Sequence, residues 1–242
     1  MIADTQGSCR NILLRAMSPE DFALLAPLLT RVTIEVDEVL AGPGQPIEAI
    51  FFPETGIVTF CEFHERGSRV GVAHTGYEGF AGWPVLLGSN SSPHEARMTA
   101  VGGTAFRISA PDMLASCRAS ATLHDLLLRF VRVFTVQLSC TVVSSLTQSV
   151  DTRLCRWTLM AHDRVEGDEI EVTHSEIAVM LAIRRSSVTD ALHILEGEGL
   201  IRCHRGMVTV RDRAGLRQRA GDTYGTAEAE YSRLIAPFPE AG

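Results

Sequence analysis

The apolar positions change their period several times along the chain. Residues 18–29, SPEDFALLAPLL, open on Ser18 as a helix N-cap, with Pro19 at the first helical position and acids in the first turn, and predict a short helix. From residue 31 to about 108 the texture differs. Short apolar or alternating runs (VTIEVDEVL, AIFFPETGIVTFCEF, SRVGVAHT, ARMTAV, TAFRIS) are separated by AGPGQP, ERGS, TGYEG, GSNSSP and GG. Strands punctuated by turn residues roughly every 8 to 12 positions predict a small antiparallel sandwich or barrel. Residues 110–116 read as another short helix, and a longer one is predicted over 121–149. In it Leu127, Phe130, Val131, Phe134, Leu138, Val142 and Leu146 recur at spacings of three and four, and the charged residues are Asp125, Arg129 and Arg132. A helix this long and this weakly charged needs a partner surface. Its own barrel is one candidate. The other, preferred here, is the same helix of a second chain, with Leu127, Phe130, Phe134, Leu138 and Val142 as the expected dimer seam.

The period changes again after 151–164, DTRLCRWTLMAHDR, an amphipathic helix broken by VEGDE. Thr173 and Glu176 form a T-x-x-E capping box ahead of Ile177, Met180 and Leu181. A second helix begins at 184–187, carries Val188, Ala191, Leu192 and Leu195 at helical spacing, and stops at Gly197 and Gly199. Residues 200–204 and 207–211 then read as two strands joined around Arg205-Gly206. Helix, tight turn, helix and hairpin make a winged helix-turn-helix over 172–211. The apolar stripe of the second helix leaves Arg184, Arg185, Ser186, Ser187 and Thr189 on other faces, at the end that enters a major groove in this motif. Arginine pairs bidentately with guanine, and hydroxyls bond bases or phosphates, so these five are the expected base contacts. Thr173, His174 and Ser175 at a helix N-terminus, and Arg205 at the hairpin tip, are the expected phosphate contacts.

Charge sharpens this picture. The chain has 242 residues and a formal charge of −7, yet residues 173–219 hold eight arginines against five acids, a local net charge of +3. Phosphate contacts are local, so the acidic total does not exclude a nucleic-acid partner. All 22 basic residues are arginine, a composition effect rather than a specialisation. The chain lacks an apolar run of bilayer length and a secretory leader, which predicts a cytoplasmic protein. The six cysteines, at 9, 61, 117, 140, 155 and 203, form no CxxC and are expected to be buried reduced thiols. His64, His74 and His94 could make the barrel a cupin-like metal enzyme, but no HxH pair exists. Cys61, His64 or His74 could instead ligate haem in a redox sensor, and a barrel that has lost ligand binding is a third reading.

The segments 39–60, 76–88, 152–164 and 173–201 together resemble the Crp/Fnr superfamily of bacterial transcription regulators over nearly the whole chain. The resemblance implies an α+β fold: a cyclic-nucleotide-binding-like β-barrel or jelly roll (1–120), a dimerisation helix (121–150), a winged-helix DNA-binding domain (151–220) and a loosely held tail (221–242). It implies a homodimer on a two-fold-symmetric double-stranded DNA site, contact with RNA polymerase at promoters, and Arg185 as the main base-reading residue. Cyclic-AMP-binding members carry a Glu where this chain has Trp83, and an Arg-Ser or Arg-Thr pair near Pro93 and His94. A buried cyclic phosphate would lack its partner here, so cyclic AMP is not the expected effector. The effector is left unassigned, with Gly79, Trp83 and His94 marking the candidate region, and no cofactor is required for DNA binding. In the recognition helix Ser186 and Asp190 replace the usual neighbours of the key arginine, which predicts an altered target half-site.

Overall fold

The computed structural model describes residues 5–63, 69–99 and 102–240. Two short helices, α1 (Ile12–Arg15) and α2 (Pro19–Leu25), lead into strands β1 (Thr30–Ile34), β2 (Val39–Ala41), β3 (Ala49–Pro53), β4 (Ile57–Phe63), β5 (Arg69–Thr75), β6 (Glu95–Thr99) and β7 (Gly103–Ser109). Ser18 caps α2 by accepting from Asp21 N, as its sequence position requires. The strands form two antiparallel sheets, ordered β1-β7-β3 and β2-β6-β4-β5, packed as an open jelly-roll-like sandwich. Phe52, Ile50, Val58, Met98, Ala105 and Ile108 are buried between them. Helices α3 (Ala110–Ala119) and α4 (Ala121–Thr147) follow, then α5 (Val150–His162).

Helix α4 divides its apolar surface differently from the expected seam. Leu127, Phe130 and Phe134 are buried against the barrel of their own chain. The Phe130 ring lies 5.1 Å from Phe80, and Phe134 lies edge-on to Phe60 at 4.7 Å. Gly79 lets the helix come this close, since a Cβ there would sit 2.0 Å from Phe130 Cζ. Leu138 is half-buried on the same cluster. Of the five expected seam residues only Val142 is exposed, at 58%, with Val143 and Leu146 beside it at 51% and 80%. The helix is also long and apolar enough to span a bilayer, with a mean hydropathy of 1.6. Its inner face is instead covered by the barrel.

Beyond α5 come β8 (Glu169–Glu171), α6 (His174–Leu181), α7 (Arg185–Gly197), β9 (Ile201–His204), β10 (Met207–Val210), α8 (Arg213–Ala220) and α9 (Thr226–Leu234). A second core of Leu154, Ile177, Val188, Leu192, Leu195, Val208 and Leu216 holds them together, and Ile57 of the barrel joins it. The barrel and this domain also meet through a buried ion pair. Arg164 Nη2 and Nε reach Glu78 Oε1 at 2.7 and 3.0 Å, and neither side chain is more than 3% exposed.

The expected loose tail is instead folded. Helix α9 packs back along α4, and Tyr231, with no exposed surface, donates to Glu78 O at 2.7 Å. Upstream, Tyr224 donates to Asp163 Oδ2 at 2.7 Å. The segment therefore belongs to the barrel–helix core. Tyr231→Phe should lower stability by about 1–2 kcal/mol in urea unfolding, because it leaves a buried carbonyl unsatisfied.

Candidate nucleic-acid interface

The site is built on a capped first helix. Thr173 Oγ1 accepts from Glu176 N at 3.2 Å while Glu176 Oε2 accepts from Thr173 N at 2.6 Å, the reciprocal capping box read from the sequence. Helix α6 ends on Ala182 in the left-handed region (φ 52°). A residue with a Cβ adopts this conformation at a cost of about 1 kcal/mol. Two hydrogen bonds to Ala178 O, from Ala182 N and Ile183 N, hold the turn. Met180 of α6 packs onto β5, where a Cβ on Gly71 would lie 2.5 Å from its sulfur. The first helix is thus docked on the barrel. The start of α7 points the other way.

Arg184 has extended backbone (φ −71°, ψ 145°) just before α7, and Arg184, Arg185 and Ser186 are all exposed, with Ser187 half-buried. Thr173, Ser175 and Arg205 are exposed as well. Thr173, His174, Arg185, Arg205 and Met207 line one open cleft of about 330 Å³ between the start of α7 and the β9–β10 wing. Expected phosphate contacts and the key base contact therefore converge on one concave surface. Thr189 differs. Its Oγ1 donates to Arg185 O at 3.2 Å and stands 2.9 Å from His174 Nδ1, so these two side chains tie α6 to α7.

The eight arginines of this segment separate into two groups. Arg213 pairs with Asp163, Arg217 with Glu240, and Arg219 with Asp151 and Glu198. Arg184, Arg185, Arg202, Arg205 and Arg211 are exposed and form no ion pair among the described residues. Exposed guanidinium groups without carboxylate partners are free to neutralise phosphates. Sequence counting could not make this division, because the carboxylates that neutralise Arg213 and Arg217 lie far away in the chain.

In the barrel, the candidate effector region is packed with side chains. Trp83 is half-buried, with its ring 5.4 Å from Phe134 and 6.4 Å from His94, and His94 pairs with Glu62. Gly79 abuts Phe130 as described above. Among the possible haem or metal ligands, His74 is buried and its Nδ1 lies 3.1 Å from Thr59 Oγ1. Burial, helped by the charges of Arg164 and Arg156, pushes its pKa down to about 3, so the ring is neutral. His64 lies outside the described residues. Among those residues no three His, Cys, Asp or Glu side chains gather as a metal site. The six cysteines are free thiols. Burial pushes Cys9, Cys61, Cys117 and Cys203 up to about 11 and Cys155 to about 12, which keeps them protonated and unreactive near neutrality.

A two-sheet barrel is joined by a long helix to a winged helix-turn-helix that carries exposed arginines. Residues 152–219 match the Crp-like helix-turn-helix domain. Sequence comparison with curated proteins gives no match. Solved structures share the fold over about four fifths of the chain. A Crp-family transcriptional regulator of Thermus thermophilus is 22% identical, with a TM-score of 0.65 over 80% of this chain and 97% of that one. FixK2 of Bradyrhizobium japonicum is 16% identical, with a TM-score of 0.68 over 78% and 95%. The c-di-GMP-responsive regulator CLP of Xanthomonas campestris is 14% identical, with a TM-score of 0.62 over 80% and 99%. The chain has a Crp-like helix-turn-helix domain and shares its fold with solved regulators of the Crp/Fnr type.

Proposed function

We propose that this chain is a cytoplasmic, homodimeric regulator that reads a two-fold-symmetric DNA site and acts with RNA polymerase at promoters. One observation carries the DNA half of the reading. Arg185 and Arg205 line a single cleft between the start of α7 and the wing, and Arg184, Arg202 and Arg211 are exposed in the same segment, none of the five with a carboxylate partner among the described residues. A recognition helix entering the major groove by its N-terminal end places Arg185 and Ser186 against base edges. Arg184, Arg205 and the N-terminus of α6, with Thr173 and Ser175, then meet the flanking phosphates.

The dimer half rests on the far end of α4. Val142, Val143 and Leu146 form an exposed apolar patch on a helix otherwise packed into the core. A two-fold seam would bury it and would space two recognition helices for successive major grooves. Val142→Glu combined with Leu146→Glu should give monomers in sedimentation. Specific DNA affinity should fall at least 100-fold, and barrel stability should hardly change, because both positions are solvent-exposed. A variant that remains dimeric would exclude this seam.

The sensing half starts from a barrel whose interior is occupied by Trp83, Phe134 and Phe60. With Trp83 and Pro93 where cyclic-AMP binders place a carboxylate and an arginine, the signal this barrel transmits is not a cyclic nucleotide held in that manner.

A further inference from the structure

A cavity of about 30 Å³ lies where α4, α5, α6 and β5 meet. Its wall has an unusual composition for an interdomain junction. Arg153 and Arg156 line it, and no carboxylate does. Arg156 is 7% exposed, yet its Nε and Nη2 donate only to backbone carbonyls, Thr223 O at 2.8 Å and Gln137 O at 3.4 Å. Arg153 donates to Leu181 O, the last carbonyl of α6. Neither guanidinium forms an ion pair among the described residues, whereas Arg164, Arg213 and Arg219 around them do. Thr141 and Ser144 spend their protons on Gln137 O and Gln148 Oε1, but Ser145 makes no such bond. Trp157 also lines the cavity, and its Nε1 is buried without an acceptor. The Glu228 carboxylate acts on Arg156 from a distance but does not pair with it. A buried cation without an ion-pair partner calls for an anion, and an orphaned donor calls for an acceptor.

We propose that this junction binds one small inorganic oxyanion, held by Arg153, Arg156 and Ser145, which clamps the DNA-binding domain to the barrel. Size sets the ligand class. About 10–15 Å³ holds one water by this measure, so the cavity takes two or three water-sized groups. Phosphate or nitrate fills it; a nucleotide does not fit. Burial of Arg156 disfavours its charged form, and an anion beside it removes that penalty. The ligand would join α5 to α4 next to Met180 and Leu181 of α6, so occupancy would favour the docked position of the helix-turn-helix.

The full-length protein can be titrated separately with inorganic phosphate and with nitrate. Ionic strength is held constant with gluconate, which is too large to enter. Calorimetry should show one saturable site per chain, and thermal unfolding should shift upward by several degrees and then plateau. Arg153→Gln and Ser145→Val should each weaken binding at least tenfold without preventing folding, while Arg217→Gln, on the surface, should leave it unchanged. The difference between the phosphate and nitrate curves identifies which oxyanion the site prefers. A thermal shift equal in gluconate, or undiminished in Arg153→Gln, overturns the proposal. None of these readouts involves DNA, so they stand or fall separately from the assignment of the recognition helix.

Discussion

Arg185→Ala is expected to abolish sequence-specific retardation of a symmetric promoter fragment while leaving the fold intact. The side chain is exposed and makes no ion pair, so its removal disturbs neither core nor cap. A bidentate arginine–guanine contact contributes about 1–3 kcal/mol of base discrimination. A two-fold dimer loses it twice, which converts to roughly 30-fold to 10⁴-fold in specific affinity. Non-specific binding should largely persist, because Arg184, Arg202, Arg205 and Arg211 remain available to phosphates. Arg205→Ala at the wing tip makes the contrast. It should weaken all sequences alike and reduce the slope of log affinity against log salt by about 1 per half-site. Retention of full specificity by Arg185→Ala, in a titration at fixed salt, would show that another element reads the bases.

The helix-turn-helix was legible in the sequence because its signals are local. Thr173 and Glu176 are three positions apart, the α7 stripe lies within one helix, and Arg205-Gly206 sits at the hairpin tip. The barrel was legible for the same reason, through turn residues between short strands. What failed depended on distant partners. The apolar surface of α4 extends around most of the helix, so periodicity could not say which side faces the barrel. That choice is made by Gly79, Phe80 and Trp83, some fifty residues earlier. Helix α9 carries Ala227, Tyr231 and Leu234 at i, i+4 and i+7, a helical signal that the polar composition of the segment obscured. Its anchor, the carbonyl of Glu78, lies 153 positions away. The contact of Thr189, an expected base contact, with His174 across the motif is likewise invisible to helical periodicity.

Glu78→Ala should be among the most destabilising single substitutions in the chain. Glu78 Oε1 accepts from two nitrogens of Arg164, and Oε2 accepts from Gly76 N at 3.0 Å. Removing the carboxylate strands a guanidinium that is 2% exposed, with Met160 O as its remaining acceptor. Loss of one partner of a buried pair costs about 3–5 kcal/mol. For a chain of this size that is a fall of roughly 6–20 °C in Tm. Arg164→Met alone should cost a similar amount, since it leaves a buried carboxylate unpaired. Replacing both with apolar residues should restore much of the loss, because desolvation of two charges offsets most of their attraction. A double-mutant cycle followed by calorimetry decides the matter, and additive losses would mean that the two residues are not coupled. The pair also joins the barrel to the end of α5, from which the DNA-binding domain continues. Glu78→Ala should therefore expose the link around residues 163–168 to protease before either core unfolds, whereas a core truncation such as Val58→Ala should not.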